Sequence, residues 1–192
     1  MRILWAHRPL GKKPLYAHEI ISLWCLFERF DQLKTDPSLE DRLQKLFRSQ
    51  KLGVLATLAK KTPYTNLIAF ACSDDLRQIV FATAKTTRKF ENMISNSSVS
   101  FFIDNRSNKA ADFRKAMGVT AVGSVRPIRK NKNSTMMKRY LQKHPQLTSF
   151  LASQSCAFLC IDVKSIYVVE RFQNVIEVHL DWQTSLLAII WQ

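Results

Sequence analysis

An antiparallel β-barrel carrying inserted helices, a mainly β chain, is the fold class this sequence predicts. From Gly53 onward the apolar residues fall in short runs bounded by turn residues, where the stretch before them shows helical spacing. The connections between the first three runs are short, which favours antiparallel pairing. About six such runs follow in all, with helical stretches between them, enough strands to close a small barrel.

Each element has its own signal. Residues 1–17 show no period and contain Pro9 and Pro14, so they read as an arm. A helix is expected over 18–34, with Ile20, Ile21, Trp24, Phe27 and Phe30 on one broad apolar face. Asp36-Pro37-Ser38 breaks it and opens a second helix through Ser49, whose Leu39, Leu43, Leu46 and Phe47 follow the 3.6-residue period. Gly53 to Ala59, a Lys60-Lys61-Thr62 turn and Tyr64 to Cys72 form a hairpin. Ser73-Asp74-Asp75 turns the chain into a third strand from Gln78 to Thr83. A helix then spans Arg88 to Ser95, a strand Val99 to Asp104, a short helix Ala110 to Met117 and a strand Val119 to Pro127. Ser134 to Lys143 is a helix that offers Met136, Met137, Tyr140 and Leu141 to the core, with His144 before Pro145 as its terminator. Phe158 to Val163 and Ile166 to Val178 are the last strands. The organisation expected is an N-terminal arm and helix over 1–37, a barrel domain over 38–179 and a C-terminal tail over 180–192. That tail is apolar but too short to span a bilayer.

Composition excludes several function classes. No apolar run approaches the roughly 20 residues of a membrane span, and no cleavage-site pattern marks a signal peptide. Cys25, Cys72, Cys156 and Cys160 form no CxxC pair and the histidines are scattered, so no metal site is expected. A reduced, cytoplasmic protein is the simplest reading. The net charge is +14, and no acidic residue falls between Asp112 and Asp162, where Arg114, Lys115, Arg126, Arg129, Lys130, Lys132, Lys138, Arg139 and Lys143 all lie. Such a block attracts polyanions. No aromatic or RNA-binding motif is interleaved with it, so it reads as a solvated basic face, and nucleic acid is not an expected partner.

The most informative stretch is Phe81 to Phe90, where an apolar strand gives way to Thr83, Lys85, Thr86, Thr87, Arg88 and Lys89 as a helix begins. Hydroxyls, cations and unpaired N–H groups at a helix start suit a phosphate-bearing ligand. Cations in a first turn oppose the helix dipole by about 0.3–1 kcal/mol each, so a purely structural role leaves Arg88 and Lys89 unexplained. No catalytic residue stands out: Asp74-Asp75 reads as a turn, and Thr57 and Thr65 as barrel residues.

The order of elements, with the strings GVLATLAKKTPYTNLIAF, IVFATAKTTRKFENMISNSSVSFFIDN and TAVGSV, resembles the FMN-binding split-barrel family of pyridoxamine 5'-phosphate oxidase-like proteins over Leu39 to Val178. The resemblance implies a six-stranded antiparallel split β-barrel that forms a homodimer, with FMN at the dimer interface. It implies that Thr83 and Thr87 donate hydroxyls to the FMN phosphate while Arg88 and Lys89 neutralise it. Leu67, Ile68 and Ala69 then lie along the isoalloxazine and ribityl chain, with Ala82 beside them. Asn66, polar among apolar neighbours on that strand, invites a hydrogen bond to the flavin ring. The implied activity is an FMN-dependent oxidoreductase with a small-molecule substrate or electron donor, and the alternative is a flavin- or haem-binding carrier or sensor without turnover. The sequence departs from pyridoxamine phosphate oxidases themselves. It has no Arg near Leu67 and no Lys near Cys72, an insertion from Arg106 to Gly118 displaces the Gln expected after the fourth strand, and the Arg-rich C-terminal segment is missing. Vitamin B6 oxidation is therefore not expected.

Overall fold

Antiparallel pairing closes the barrel. A computed structural model describes residues 37–170, 174–180 and 187–190; the arm over 1–17 and the helix over 18–34 lie outside the described residues. The chain opens with α1 (Pro37–Ser49), then β1 (Leu52–Ala59), β2 (Thr62–Cys72) and β3 (Gln78–Ala84). Next come α2 (Arg88–Ser95), β4 (Ser98–Asp104), α3 (Asp112–Lys115), β5 (Met117–Pro127), α4 (Thr135–Lys143), a 3-10 turn (Pro145–Leu147) and α5 (Thr148–Ala152). The long β6 (Cys156–Glu170), β7 (Asn174–Leu180) and β8 (Leu187–Ile190) follow. Strand order is β3-β2-β1-β4-β5-β6-β7-β8, and a further β3–β6 pairing joins six of these strands into a ring. β7 lies outside the ring on β6, and β8, drawn from the C-terminal tail, pairs with β7.

Period-2 alternation decides which side chains fill the barrel. Leu55 of β1, Ile68 and Phe70 of β2, Ile79 and Phe81 of β3, and Phe101 of β4 are buried, and the Phe70 and Phe101 rings meet edge to face at 4.7 Å. α1 brings Phe47 to the edge of Phe70, at 6.1 Å between ring centroids. The outer face of β2, β3 and β6 is covered as well. Ala71, Val80, Cys156, Phe158 and Cys160 pack under Met137 and Tyr140 of α4 and Leu151 of α5. This second layer explains why the first half of β6 is buried on both faces and reads as a continuous apolar run.

The expected break between two final strands at Lys164-Ser165 is absent, and β6 runs through it. Val122 faces Ser165 and Gly123 faces Val163, which leaves Lys164 as the extra residue of a β-bulge. Gly123 is required there, because a Cβ at that position would come 2.2 Å from the Asp162 carbonyl oxygen. The strand break falls instead between Glu170 and Asn174. At the other hairpin, the two-residue turn bends through Lys60 at φ 56°.

Candidate cofactor site

The site grows from the turn between β3 and α2. Thr83 is buried, and its Oγ1 lies 3.1 Å from Thr87 Oγ1, which in turn donates to the Ala84 carbonyl at 2.8 Å. Because Thr87 gives its proton to Ala84, Thr83 is the donor to Thr87. Both hydroxyl protons are thus committed to holding the turn, and the groups left to meet an anion are backbone N–H groups and cations. Thr87 is the N-cap residue in extended conformation and makes no side-chain cap. Its carbonyl accepts from the N–H groups of Phe90 and Glu91, so those of Arg88 and Lys89, earlier in the turn, have no intrahelical acceptor.

A chain of hydrogen bonds ties this helix to the first hairpin. Asn92, buried one turn beyond Arg88, donates through Nδ2 to Thr57 Oγ1 at 3.0 Å, and Thr57 donates to the Tyr64 carbonyl at 3.2 Å. The Arg88 guanidinium lies 4.6 Å from the centroid of the Tyr64 ring, a cation–π contact that holds it against β2. Thr57, Tyr64 and Asn92 are the positioning residues that sequence reasoning did not assign. The available signal was the placement of Asn92 four residues after Arg88, on the same helix face.

Along β2, Tyr64, Asn66 and Ile68 alternate onto the inner face, and Asn66 stands opposite Leu55 of β1. The Oδ1 of Asn66 is buried and has no hydrogen-bond partner among the described residues. A buried acceptor left unpaired costs about 1–3 kcal/mol. Leu67 and Ala69 point to the other face, where Leu67 is 64% exposed. Ala82 faces the layer under α4, next to Tyr140, whose hydroxyl takes a backbone hydrogen bond at Ala82. The structure therefore gathers Thr83, Thr87, Arg88 and Lys89 at one turn and links them through Tyr64 to the strand face of Asn66 and Ile68. Leu67, Ala69 and Ala82 stand on outward faces.

The basic block is partly absorbed by the fold. Arg126 pairs with Asp162, Arg139 pairs with Asp74, and Lys130 and Lys143 donate to the carbonyls of Ser153 and Phe47. His144 ends α4 and is also buried, its Nε2 2.9 Å from the Phe70 carbonyl; burial pushes its pKa down. Among the described residues no group of three His, Cys, Asp or Glu side chains is arranged to hold a metal, and no helix is long and apolar enough to cross a membrane.

The family model described as pyridoxamine 5'-phosphate oxidase matches residues 39–170, from α1 to the end of β6. The chain belongs to the pyridoxamine 5'-phosphate oxidase family. Solved structures share the fold of this family member at low identity. A haem-binding protein from Mycobacterium smegmatis matches with a TM-score of 0.66 and 14% identity over 76% of this chain, which spans 59% of that protein. General Stress Protein 26 from Bacillus anthracis matches with a TM-score of 0.53 and 16% identity, over 68% of this chain and 93% of its own. A FAD-binding protein from Mesorhizobium loti gives a TM-score of 0.53 and 17% identity, over 66% and 89%. No curated protein matches by comparison. The stretch from Arg106 to Gly118 forms the loop after β4, α3 and the start of β5, and Asp112 closes it by accepting from Ser107 and Lys109.

Proposed function

We propose that this protein binds FMN and acts, as a homodimer, as an FMN-dependent oxidoreductase on a small-molecule substrate or electron donor. The observation that carries the reading is the start of α2, where uncapped N–H groups meet Arg88 and Lys89. A phosphate placed there receives backbone hydrogen bonds, the positive end of the helix dipole and two cations together. The Thr83–Thr87–Ala84 hydrogen bonds keep the turn in shape, and the Asn92–Thr57 bond fixes the helix on the hairpin. When bound, the isoalloxazine supplies the electron-transfer chemistry, and the protein's part is to hold and orient it. The half-buried and exposed apolar side chains on the outer face of β1 and β2, among them Leu52 and Leu67, support the homodimer.

The test is a visible spectrum of the purified protein with FMN, FAD and haem in turn, followed by FMN titration of Arg88→Ala. Loss of a charge-assisted phosphate contact is worth about 1.5–3 kcal/mol, roughly a ten- to hundredfold rise in Kd. A protein that keeps no flavin spectrum once free FMN is removed refutes the reading, and an unchanged Kd in Arg88→Ala refutes the phosphate site.

A further inference from the structure

Cations gather in a second place, away from the α2 turn. A cleft of about 280 Å3 lies between α1, the turn after β2 and α4. Ser73, on its wall, pairs through its backbone with Gln78 at the start of β3, whereas the α2 turn follows the other end of that strand. Roughly 20 Å of strand separates the two.

The cleft presents Arg48 from α1, Arg139 and Lys143 from α4, and Asp74 from the turn. Asp74 receives Nη1 and Nη2 of Arg139 at 2.7 and 2.6 Å and Nη2 of Arg48 at 3.1 Å. Hydrogen bonds from Arg139 and Arg48 hold its carboxyl well below the usual carboxylate range. One carboxylate thus orients two guanidinium groups from two helices, which by itself is sufficient as a structural clamp. Lys143 is not explained by that clamp. Its Nζ donates to the Phe47 carbonyl at 2.7 Å, lies 4.0 Å from the centroid of the Phe70 ring, and has no carboxylate within ion-pair distance among the described residues. Burial pushes its pKa down to about 8. An ammonium partly withdrawn from water, without a counter-charge and on the wall of an open cleft, gains most from an anion brought to it. Three cations and one anion line the cleft, Asp75 also acts on Arg139, and the volume suits a small ligand.

We propose that this cleft binds a small doubly charged anion, a phosphate monoester or a dicarboxylate, through Arg48, Arg139 and Lys143. The test uses the full chain carrying Arg88→Ala and Lys89→Ala, which removes both cations of the α2 turn, titrated by calorimetry with phenyl phosphate and with succinate. Saturable binding of either probe is expected, and the preferred probe identifies the ligand class. Arg48→Gln and Lys143→Met should each weaken it by roughly tenfold or more. Arg48 has a 65% exposed side chain, so its substitution keeps the fold even if that of Lys143 does not. Absence of binding for both probes at millimolar concentration, or binding that Arg48→Gln leaves unchanged, overturns the proposal.

Discussion

In Asn66→Leu an apolar side chain of similar size takes the place of an amide whose Oδ1 is buried without a partner. The side chain faces inward opposite Leu55, so leucine enters surroundings that are already apolar. An unpaired buried acceptor costs about 1–3 kcal/mol, and replacing it with an apolar group of the same shape recovers much of that. We expect the flavin-free variant to gain about 1–2 kcal/mol, which for a chain of this size raises Tm by roughly 2–8 °C. Flavin affinity should not change, because the Oδ1 has no surface open to a ligand. A lost flavin contact would read as about 0.5–1.5 kcal/mol, or roughly a two- to twelvefold higher Kd. The assay pairs thermal unfolding of the flavin-free protein with FMN titration by fluorescence quenching. A variant less stable than the parent shows that Asn66 is satisfied in the free protein. A rise in Kd of that size shows that the acceptor does reach the ring.

Three further perturbations test the frame around the site. Thr57→Val keeps the shape but leaves the buried Nδ2 of Asn92 without its acceptor; urea unfolding should show a loss of about 1–3 kcal/mol, and an unchanged midpoint would remove Thr57 as the anchor of α2. Gly123→Ala puts a Cβ 2.2 Å from the Asp162 carbonyl oxygen, so the bulge must shift. A loss on the order of 1–3 kcal/mol is expected in the same assay, and a neutral result would place the bulge elsewhere. Burial raises the pKa of Cys72, Cys156 and Cys160, the last to about 12, and that of Tyr140 to about 12. These groups keep their protons in the folded state while the unfolded chain begins to lose its own near pH 9. The stability they contribute is therefore complete below about pH 9 and is lost as the pH climbs toward 12. Lys143, lowered to about 8 by burial, acts with the opposite sign. Its cost to the folded state disappears as the pH passes from about 8 toward the ordinary lysine value. Urea midpoints from pH 8 to 11 should fall more gently in Cys72→Ala than in the parent, and parallel curves would count against burial of that thiol.

Local rules account for what the sequence discloses. The helix expected from Arg88 to Ser95 has those bounds in the structure, because a hydroxyl-rich turn and an amphipathic run define its ends without help from elsewhere. The first hairpin is likewise local, and its register follows from a two-residue turn. Period 2 along β2 also separates Leu67 and Ala69 from Asn66 and Ile68, so a site that groups all four joins opposite faces of one strand. Two features lie beyond local reading. Lys164-Ser165 has the polarity of a turn, and only the partner strand, with Gly123 opposite, turns it into a bulge. The Asn92–Thr57 bond joins residues 35 apart, and nothing in either neighbourhood points to the other.

The chain also breaks local rules twice, and only one of the two breaks is open to a ligand. Arg88 and Lys89 stand where the helix dipole disfavours cations, beside N–H groups that the cap residue does not satisfy. Asn66 buries an acceptor with nothing to accept from. Packing alone selects against each, since a Ser cap that turned its hydroxyl forward and an apolar residue on β2 would give a more stable barrel. Tyr64 ties the two places together, carrying Arg88 on its ring and standing two residues before Asn66 on the same strand face. An anion at the turn answers the first break. The second lies beneath the surface, out of reach of whatever binds there. Asn66→Leu combined with Arg88→Ala tests that division. Additive effects on FMN affinity, with only Arg88→Ala raising Kd, are expected, and coupling between the two would show one molecule spanning both.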